Sequence, residues 1–252
     1  MKICVCIKQV PDVAAPYQVQ DGQLVFASNR MVLNAYDASA VEEALVLTAE
    51  HGGSVDLVCI GAAGATETIR KALAMGAENA THLVVPEGTA LDSAAAARLL
   101  ADHFADHDYD VIACGKQSQD TDAGLGGGML ATLLGLPYAT NAVGLRFEPA
   151  NTALVVERQG DIGREIIALP TPCLVTCSND MNDPRIPNLK GIMAAKRKAI
   201  DTREVTDVPP VATTVVSYEE LPARAPGKLL EGEAGELVAQ LRDLLEREAN
   251  VL

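Results

Sequence analysis

The sequence has few aromatic residues, and it has no apolar run that approaches the length of a membrane span. Aromatic residues make up 3% of the 252 residues and tryptophan is absent, so Val, Leu, Ile and Ala must form the core. No stretch comes near the roughly 20 apolar residues of a membrane span, and the N-terminus has no signal-peptide pattern. We therefore expect a cytoplasmic chain without membrane insertion.

The cysteine and histidine residues show no metal-binding spacing. The six cysteines lie in or beside short β-type runs, no Cys-x-x-Cys occurs, and no histidine lies at ligand spacing from a cysteine. We therefore predict buried thiols that act as small hydrophobic side chains, and no metal site. The four histidines, which are His51, His82, His103 and His107, are expected on the surface.

The net charge of -14 disfavours binding to nucleic acid and to anionic membranes. It does not exclude a nucleotide, because phosphates are held locally by backbone N–H groups and helix N-termini.

Short apolar runs alternate with helical patterns over the first half of the chain. Runs such as KICVCIK, VDLVCIG, THLVVP and YDVIACG read as strands, and the segments between them read as helices. Asp37 is predicted to cap the first helix, and a small hairpin is expected within residues 17–33. This alternation favours parallel βαβ units.

The pattern changes after Pro137, where three strand-like runs are separated by turn-like EPAN and QGDIG and so predict antiparallel hairpins. The predicted fold is α/β, with a doubly wound, mostly parallel sheet, added antiparallel hairpins and a C-terminal extension ending in a helix. We predict a nucleotide-binding domain over residues 1–200 and an extension over 201–252. The apolar stripe of the terminal helix, near residues 231–248, could pack on this chain or on a partner subunit.

In a doubly wound sheet, ligands bind beyond the carboxyl ends of the strands. The segment GKQSQDTDAGLGGGM follows one such strand, and its glycines would let backbone N–H groups approach a phosphate at a helix N-terminus. The alternative is a flexible loop whose glycines serve tight packing. Asp120 and Asp122 suit turn positions better than a metal site. No nucleophile–base pair is present, so we assign no catalytic residue.

Six segments in order make the chain resemble the beta subunit of electron-transfer flavoproteins. They are IKQVPD, LNAYDASAVEEAL, ETIRKALAMGA, GKQSQDTDAG, VERQGDIGREIIALPTPCLVT and PRIPNLKGIMAAKRK, and together they span residues 1–200. The resemblance implies a heterodimer with an alpha subunit that carries the redox-active FAD. It also implies transient contact with acyl-CoA or other dehydrogenases.

The resemblance places a second nucleotide in this chain, which is AMP in ordinary members and a second FAD in electron-bifurcating members that oxidise NADH. Tyr36 matches an aromatic position that touches the partner's flavin in relatives, and Leu189 matches a leucine on the loop that docks the dehydrogenase. The residues implied for cofactor binding are Cys6, Asn34, Ala35, Tyr36, Asp37, Ile60, Gly115, Lys116, Gln117, Asp120, Asp122, Ala123, Gly124, Leu125 and Gly126.

The chain departs from the family pattern in its phosphate loop. Ordinary members have Asn-Gln-Thr where this chain has Gly124, Leu125 and Gly126, so only backbone donors remain there. Three functions follow as hypotheses: an electron carrier with AMP, a bifurcating subunit with a second FAD, and a stand-alone adenine-nucleotide sensor. AMP is favoured over FAD as the second nucleotide. The apolar stripe of the terminal helix argues against the stand-alone sensor, because that stripe could pack on a partner subunit.

Overall fold

A computed structural model describes residues 1–224, 226–249 and 251, and it divides the chain into two compact units. The first unit runs from Met1 to Ser217, and the second begins at Tyr218. The sequence predicted a boundary at residue 200. A further strand, Asp201–Glu204, pairs with Asn79–Val84 inside the first unit.

The first unit contains thirteen strands and five helices. In chain order they are β1 Lys2–Ile7, β2 Gln9–Pro11, β3 Tyr17–Gln20, β4 Gln23–Phe26, β5 Met31–Leu33, α1 Ala35–His51, β6 Ser54–Gly61, α2 Thr66–Met75, β7 Asn79–Val84, α3 Ser93–Phe104, β8 Val111–Gly115, α4 Gly126–Leu134, β9 Tyr138–Glu148, β10 Ala153–Gln159, β11 Arg164–Pro170, β12 Cys173–Cys177, α5 Leu189–Arg197 and β13 Asp201–Glu204.

Nine strands form one sheet in the order β11-β10-β9-β12-β8-β1-β6-β7-β13. The strands from β9 to β13 along this order run parallel, and β10 and β11 add antiparallel pairs at one edge. The predicted α/β class, with a mostly parallel sheet and added hairpins, is confirmed.

Alternating side chains of β1 enter two separate cores, as the pleat of a strand requires. Ile3, Val5 and Ile7 pack with residues of α1 and α2. Cys4 and Cys6 point to the opposite face and pack with residues of α3 and α4. Helices therefore cover both faces, which is why the central strands read as continuous apolar runs. All six cysteines are buried and free, as predicted.

One local prediction is confirmed over a shorter range, and another is wrong. The hairpin expected over residues 17–33 consists of β3 and β4 only, because β5 pairs with β2 instead. The first helix is preceded by Asn34, not Asp37, as its N-cap residue. Asp37 lies in the first turn and is buried, because its carboxylate accepts N–H groups from outside the helix.

Two of the four histidines are not on the surface. His82 is 1% exposed and His103 is 6% exposed. The His82 ring lies within hydrogen-bond distance of the Gly61 carbonyl, at 3.1 Å, and the His103 ring contacts Phe104 edge-on. Because an imidazole combines apolar ring atoms with polar nitrogens, a core position with a suitable neighbour accepts it.

The second unit contains helix α6, Ala234–Leu244, which continues as a π-helical turn over Leu245–Ala249. None of the residues of α6 is buried, and Val238 and Leu241 are exposed. No helix in the described part of the chain is long and apolar enough to cross a membrane.

Candidate nucleotide site

The central parallel strands end together at one edge of the sheet. Cys6 of β1 lies in register with Val58 of β6 on one side and with Cys114 of β8 on the other. Because these strands are parallel, their carboxyl ends meet at the same rim. The predicted residues Cys6, Ile60 and Gly115, which come from three strands, are therefore brought together.

Asn34 joins the loop after β8 to the start of α1. Its side-chain Nδ2 donates to the Gln117 carbonyl at 2.9 Å, and its Oδ1 accepts the Gln119 N–H at 3.1 Å. The Gln119 side chain in turn accepts the Ala35 N–H at 3.0 Å. Asn34 is 2% exposed, so these bonds form in a largely dry environment, where unpaired donors would be costly. The loop thus has a fixed position over the helix.

Asp37 joins the tips of β1 and β8. One carboxylate oxygen accepts the Lys8 N–H at 2.7 Å, and the other accepts the Gly115 N–H at 2.9 Å. The residue is 5% exposed. Burial raises the pKa of Asp37 to about 7, although the hydrogen bonds from Lys8, Asn34 and Gly115 oppose that shift. Asp37 is therefore part of the framework of the site.

Gly115 has no room for a side chain. A Cβ atom there would lie 2.3 Å from Oδ1 of Asp37 and 2.7 Å from Cβ of Tyr36. The close approach of strand tip and helix therefore requires glycine.

The two loop aspartates of the prediction are engaged within the protein. Asp120 accepts two bonds from the Lys8 ammonium, at 2.8 and 2.9 Å, and its side chain is 19% exposed. Asp122 accepts the Gln117 side-chain amide at 2.8 Å and has a φ of +52°. Asp122 thus has a backbone conformation typical of a turn residue, and Asp120 is one partner of an ion pair. Among the described residues, no cluster of three or more His, Cys, Asp or Glu side chains could hold a metal ion.

The N-terminus of α4 opens behind this loop. Leu125, at its N-cap position, makes no side-chain capping bond to the helix. A Cβ atom on Gly126 would meet nothing within 4 Å, whereas one on Gly127 would lie 2.5 Å from Thr176 of β12. Gly127 therefore permits tight helix–strand packing, whereas Gly126 faces open space.

The family model described as "Electron transfer flavoprotein domain" matches residues 22–208. The electron transfer flavoprotein subunit beta of Bacillus subtilis is 30% identical over 260 residues and that of Bradyrhizobium diazoefficiens is 38% identical over 257, each over 100% of both chains. A caffeyl-CoA reductase-Etf complex subunit of Acetobacterium woodii is 32% identical over 260 residues, covering 96% of this chain and 98% of its own.

This chain belongs to the electron transfer flavoprotein beta-subunit family. The resemblance singled out two further positions, Tyr36 and Leu189. Tyr36, in the first turn of α1, is half-buried beside Gly115. Leu189 is 76% exposed at the start of α5, where the Asn188 side chain caps the helix by accepting the Gly191 N–H at 2.8 Å.

The remaining predicted residues lie on the loop after β8 or at the ends of β6 and α1. Ile60, Ala35, Lys116 and Gln117 are half-buried, whereas Ala123, Gly124 and Leu125 are exposed. A Cβ atom on Gly124 would lie 3.2 Å from the Lys116 carbonyl oxygen, so the loop is tight at that point.

Sequence reasoning missed two residues that hold the loop, Lys8 and Gln119. Both lie in segments that the sequence placed at the rim, but neither was singled out. It also missed a polar cavity of about 270 Å³ beside the rim, whose lining is Lys116, Asn141, Val143, Gln159, Arg164, Ser178 and Asp180. Asn141 there has a φ of +58°. The only signal in the sequence was the position of Lys116 and Ser178 directly after strands.

Proposed function

We propose that this chain is the nucleotide-binding subunit of an electron-carrying heterodimer. Its partner is an alpha subunit that carries FAD, and this chain binds AMP at the rim of its sheet. The complex accepts electrons from acyl-CoA or other dehydrogenases and passes them to an acceptor. This chain performs no catalysis of its own.

One observation carries the proposal of a phosphate site: the N-terminus of α4 has no side-chain cap, and a Cβ atom on its first residue, Gly126, would meet nothing within 4 Å. Backbone N–H groups in the first turn of a helix have no intrahelical partner, and the helix dipole favours an anion there. The residues present fit a phosphate held by main-chain donors, because no side chain caps this helix end and the glycine that begins it is not crowded. Asn34 and Asp37 support the fit by fixing the loop.

The partner's FAD would supply one- and two-electron chemistry when bound. Tyr36 would form part of the wall of that flavin site, since it is half-buried at the rim and offers an aromatic surface. Leu189 would contact the dehydrogenase, because an exposed leucine on a fixed helix start is a suitable apolar anchor.

A second candidate is a bifurcating subunit that holds a second FAD in place of AMP. The sequence KQVPD and the aspartate at position 37 favour it, because they resemble that branch of the family. The relative in the caffeyl-CoA reductase-Etf complex also retains 32% identity over nearly the full chain. A stand-alone sensor would instead be stable without a flavoprotein partner.

The test is the nucleotide content of the purified complex. The chain is co-expressed with the alpha subunit encoded in the same organism, and the bound nucleotides are extracted and quantified. We expect one AMP and one FAD per heterodimer. Two FAD would favour the bifurcating subunit, and a lone chain with no flavin partner would contradict both.

A matched pair of variants tests the phosphate site directly. Gly126→Glu and Gly126→Gln place side chains of equal size into open space, so both should fold. Only the glutamate adds a negative charge at the helix N-terminus, where it would repel a phosphate. We expect the extracted AMP to fall at least tenfold further in Gly126→Glu than in Gly126→Gln. Equal AMP content in the two variants would place the phosphate elsewhere.

A further inference from the structure

Residues 182–188, which precede α5, are held on the middle of α1. The Arg185 guanidinium donates to both carboxylate oxygens of Glu42, at 2.7 and 2.8 Å, and the Arg185 backbone N–H donates to one of them at 3.0 Å. The Asn182 side chain donates to the Ser39 carbonyl at 3.1 Å and to the Glu43 carboxylate at 3.0 Å. Because all of these acceptors lie on one helix, the segment has a fixed position against it.

Helix α5, which follows this segment, is held on α2. A Cβ atom on Gly191 would lie 2.6 Å from the Ala74 carbonyl oxygen, so the two helices are too close there for a side chain. The Arg70 guanidinium donates to the Ala195 carbonyl at 2.5 Å and to the Lys198 carbonyl at 2.8 Å, where α5 ends. The segment and α5 are therefore attached at both ends, to helices that cover one face of the sheet.

Apolar side chains between these two attachments face solvent. Ile186 is 92% exposed and Leu189 is 76% exposed, and Ile192 and Met193 of α5 are also exposed. Side chains on a mobile loop lose conformational freedom when they bind, which lowers affinity, but the backbone that carries these residues is already fixed. A fixed and exposed apolar surface is typical of a docking surface.

Helix α5 is also locally basic. It carries Lys190, Lys196 and Arg197, all exposed, and no acidic residue, although the net charge of the chain is -14. Cations around exposed apolar side chains fit a partner with acidic groups around an apolar recess. In the proposed function this partner is the dehydrogenase.

We propose that Glu42 is a positioning residue for the electron-donating dehydrogenase: through Arg185 it holds residues 182–188 on α1 and so presents Leu189 in one position. This inference rests on the proposed function, in which Leu189 contacts the dehydrogenase. The Glu42 side chain is only 11% exposed, so it acts through Arg185 and not by direct contact with the partner. Without the ion pair, binding of the dehydrogenase would have to order the segment first, at a cost to affinity.

Glu42→Gln tests the inference in the complete heterodimer. The amide keeps the size of the side chain but has one acceptor oxygen and no charge, so the two-point contact with Arg185 is lost. The assay follows reduction of the heterodimer's FAD by an acyl-CoA dehydrogenase of the same organism, supplied with its acyl-CoA substrate, as the heterodimer concentration is varied. We expect KM for the heterodimer to rise by about threefold or more, with kcat changed by less than about twofold. An unchanged KM would overturn the proposal.

Asp201→Asn is the matched control for this variant. It makes the same change of carboxylate to amide in the exposed ion pair with Arg203 on β13, and it should leave KM unchanged. An equal rise in KM would show that loss of any ion pair suffices, which would overturn the assignment to Glu42. Arg185→Lys replaces Glu42→Gln if that variant does not fold, and it should raise KM in the same way because it also loses the two-point contact.

A second substitution at Leu189 shows whether Glu42 acts through the leucine. Leu189→Ala alone should raise KM by about tenfold, as expected for an apolar anchor. Glu42→Gln should add little in the Leu189→Ala protein, because the side chain that it positions is then missing. Effects that simply multiply would place the action of Glu42 elsewhere and would overturn the proposal.

Hydrogen exchange of the Arg185 amide gives a readout that needs no dehydrogenase. This N–H donates to Glu42, so its exchange should accelerate several-fold in Glu42→Gln. The Ile192 amide, which donates to the Asn188 carbonyl, should be unaffected. Unchanged exchange of the Arg185 amide would overturn the positioning role. Failure of the proposed function is distinguishable, because Leu189→Ala would then leave KM unchanged, or the dehydrogenase would not reduce the FAD, while the Arg185 amide still responded.

Discussion

At the residue scale, the space around a single Cβ position determines which side chains fit at the rim. Gly115 lies where β8, α1 and the loop after β8 meet, and a methyl group there would overlap the Asp37 carboxylate. Gly64, near the end of β6, has nothing within 4 Å of the same hypothetical atom. The two glycines look alike in the sequence, but only one has a steric function.

Gly115→Ala should therefore lower the free energy of unfolding by about 1–3 kcal/mol, the usual cost of overpacking a tight site. Urea denaturation followed by circular dichroism measures it. Gly64→Ala is the matched control and should leave the stability nearly unchanged. A small effect of Gly115→Ala would mean that the strand tip and helix separate easily.

At the element scale, one ion pair attaches the segment before α5 to α1. Arg185 donates from Nε to one oxygen of Glu42 at 2.7 Å and from a terminal nitrogen to the other at 2.8 Å, and its backbone N–H adds a third bond. The Glu42 side chain is 11% exposed. These hydrogen bonds and the nearby positive charge lower the pKa of Glu42.

Arg185→Lys keeps the charge and loses the two-point contact, so we expect it to cost about 1–2 kcal/mol of stability at pH 7. Because the folded pKa of Glu42 is depressed, its contribution is present above the ordinary value of 4.5 and is lost as the pH falls through the folded pKa. The difference between the proteins should thus shrink in acid. Denaturation at several pH values measures it.

Arg203→Lys is the control for this pair. Arg203 also donates two bonds to a carboxylate, that of Asp201, both at 2.8 Å, but both side chains are about half exposed. Exposed ion pairs contribute less than about 1 kcal/mol to the free energy of unfolding, so we expect a smaller effect from Arg203→Lys. A cost as large as that of Arg185→Lys would show that burial of the carboxylate is unimportant.

At the scale of the whole molecule, the sheet is complete within residues 1–217, and α6 has no buried residue. Deletion of residues 218–252 should therefore change the melting temperature of the remaining unit by less than about 2 °C.

The same deletion should reduce co-purification of the flavoprotein partner, if the exposed Val238 and Leu241 contact it. Thermal circular dichroism and affinity purification measure these two effects.

The double variant Val238→Ser with Leu241→Ser should reproduce the loss of the partner without the deletion. Gln240→Ser, on the same exposed helix, should not. Unfolding of the truncated chain would instead show that the C-terminal residues stabilise the first unit.

The sequence by itself determined the alternation of strands and helices and the doubly wound α/β class, and it predicted the glycine-rich loop as the place for a ligand. These features follow from local periodicity and from the rule that parallel strands end at one rim, so they need no coordinates. Sequence also showed that the loop has only backbone donors at Gly124 and Gly126.

Only the tertiary structure decided what the individual polar residues do. Asp37 has the sequence context of a helix cap, yet its partners are N–H groups of Lys8 and Gly115, which lie 29 and 78 residues away along the chain. His82 became buried for the same reason, since Gly61 and Thr66, which lie beside its ring nitrogens, come from other elements. Hydrogen-bond partners and burial depend on contacts between distant segments, and no local pattern encodes them.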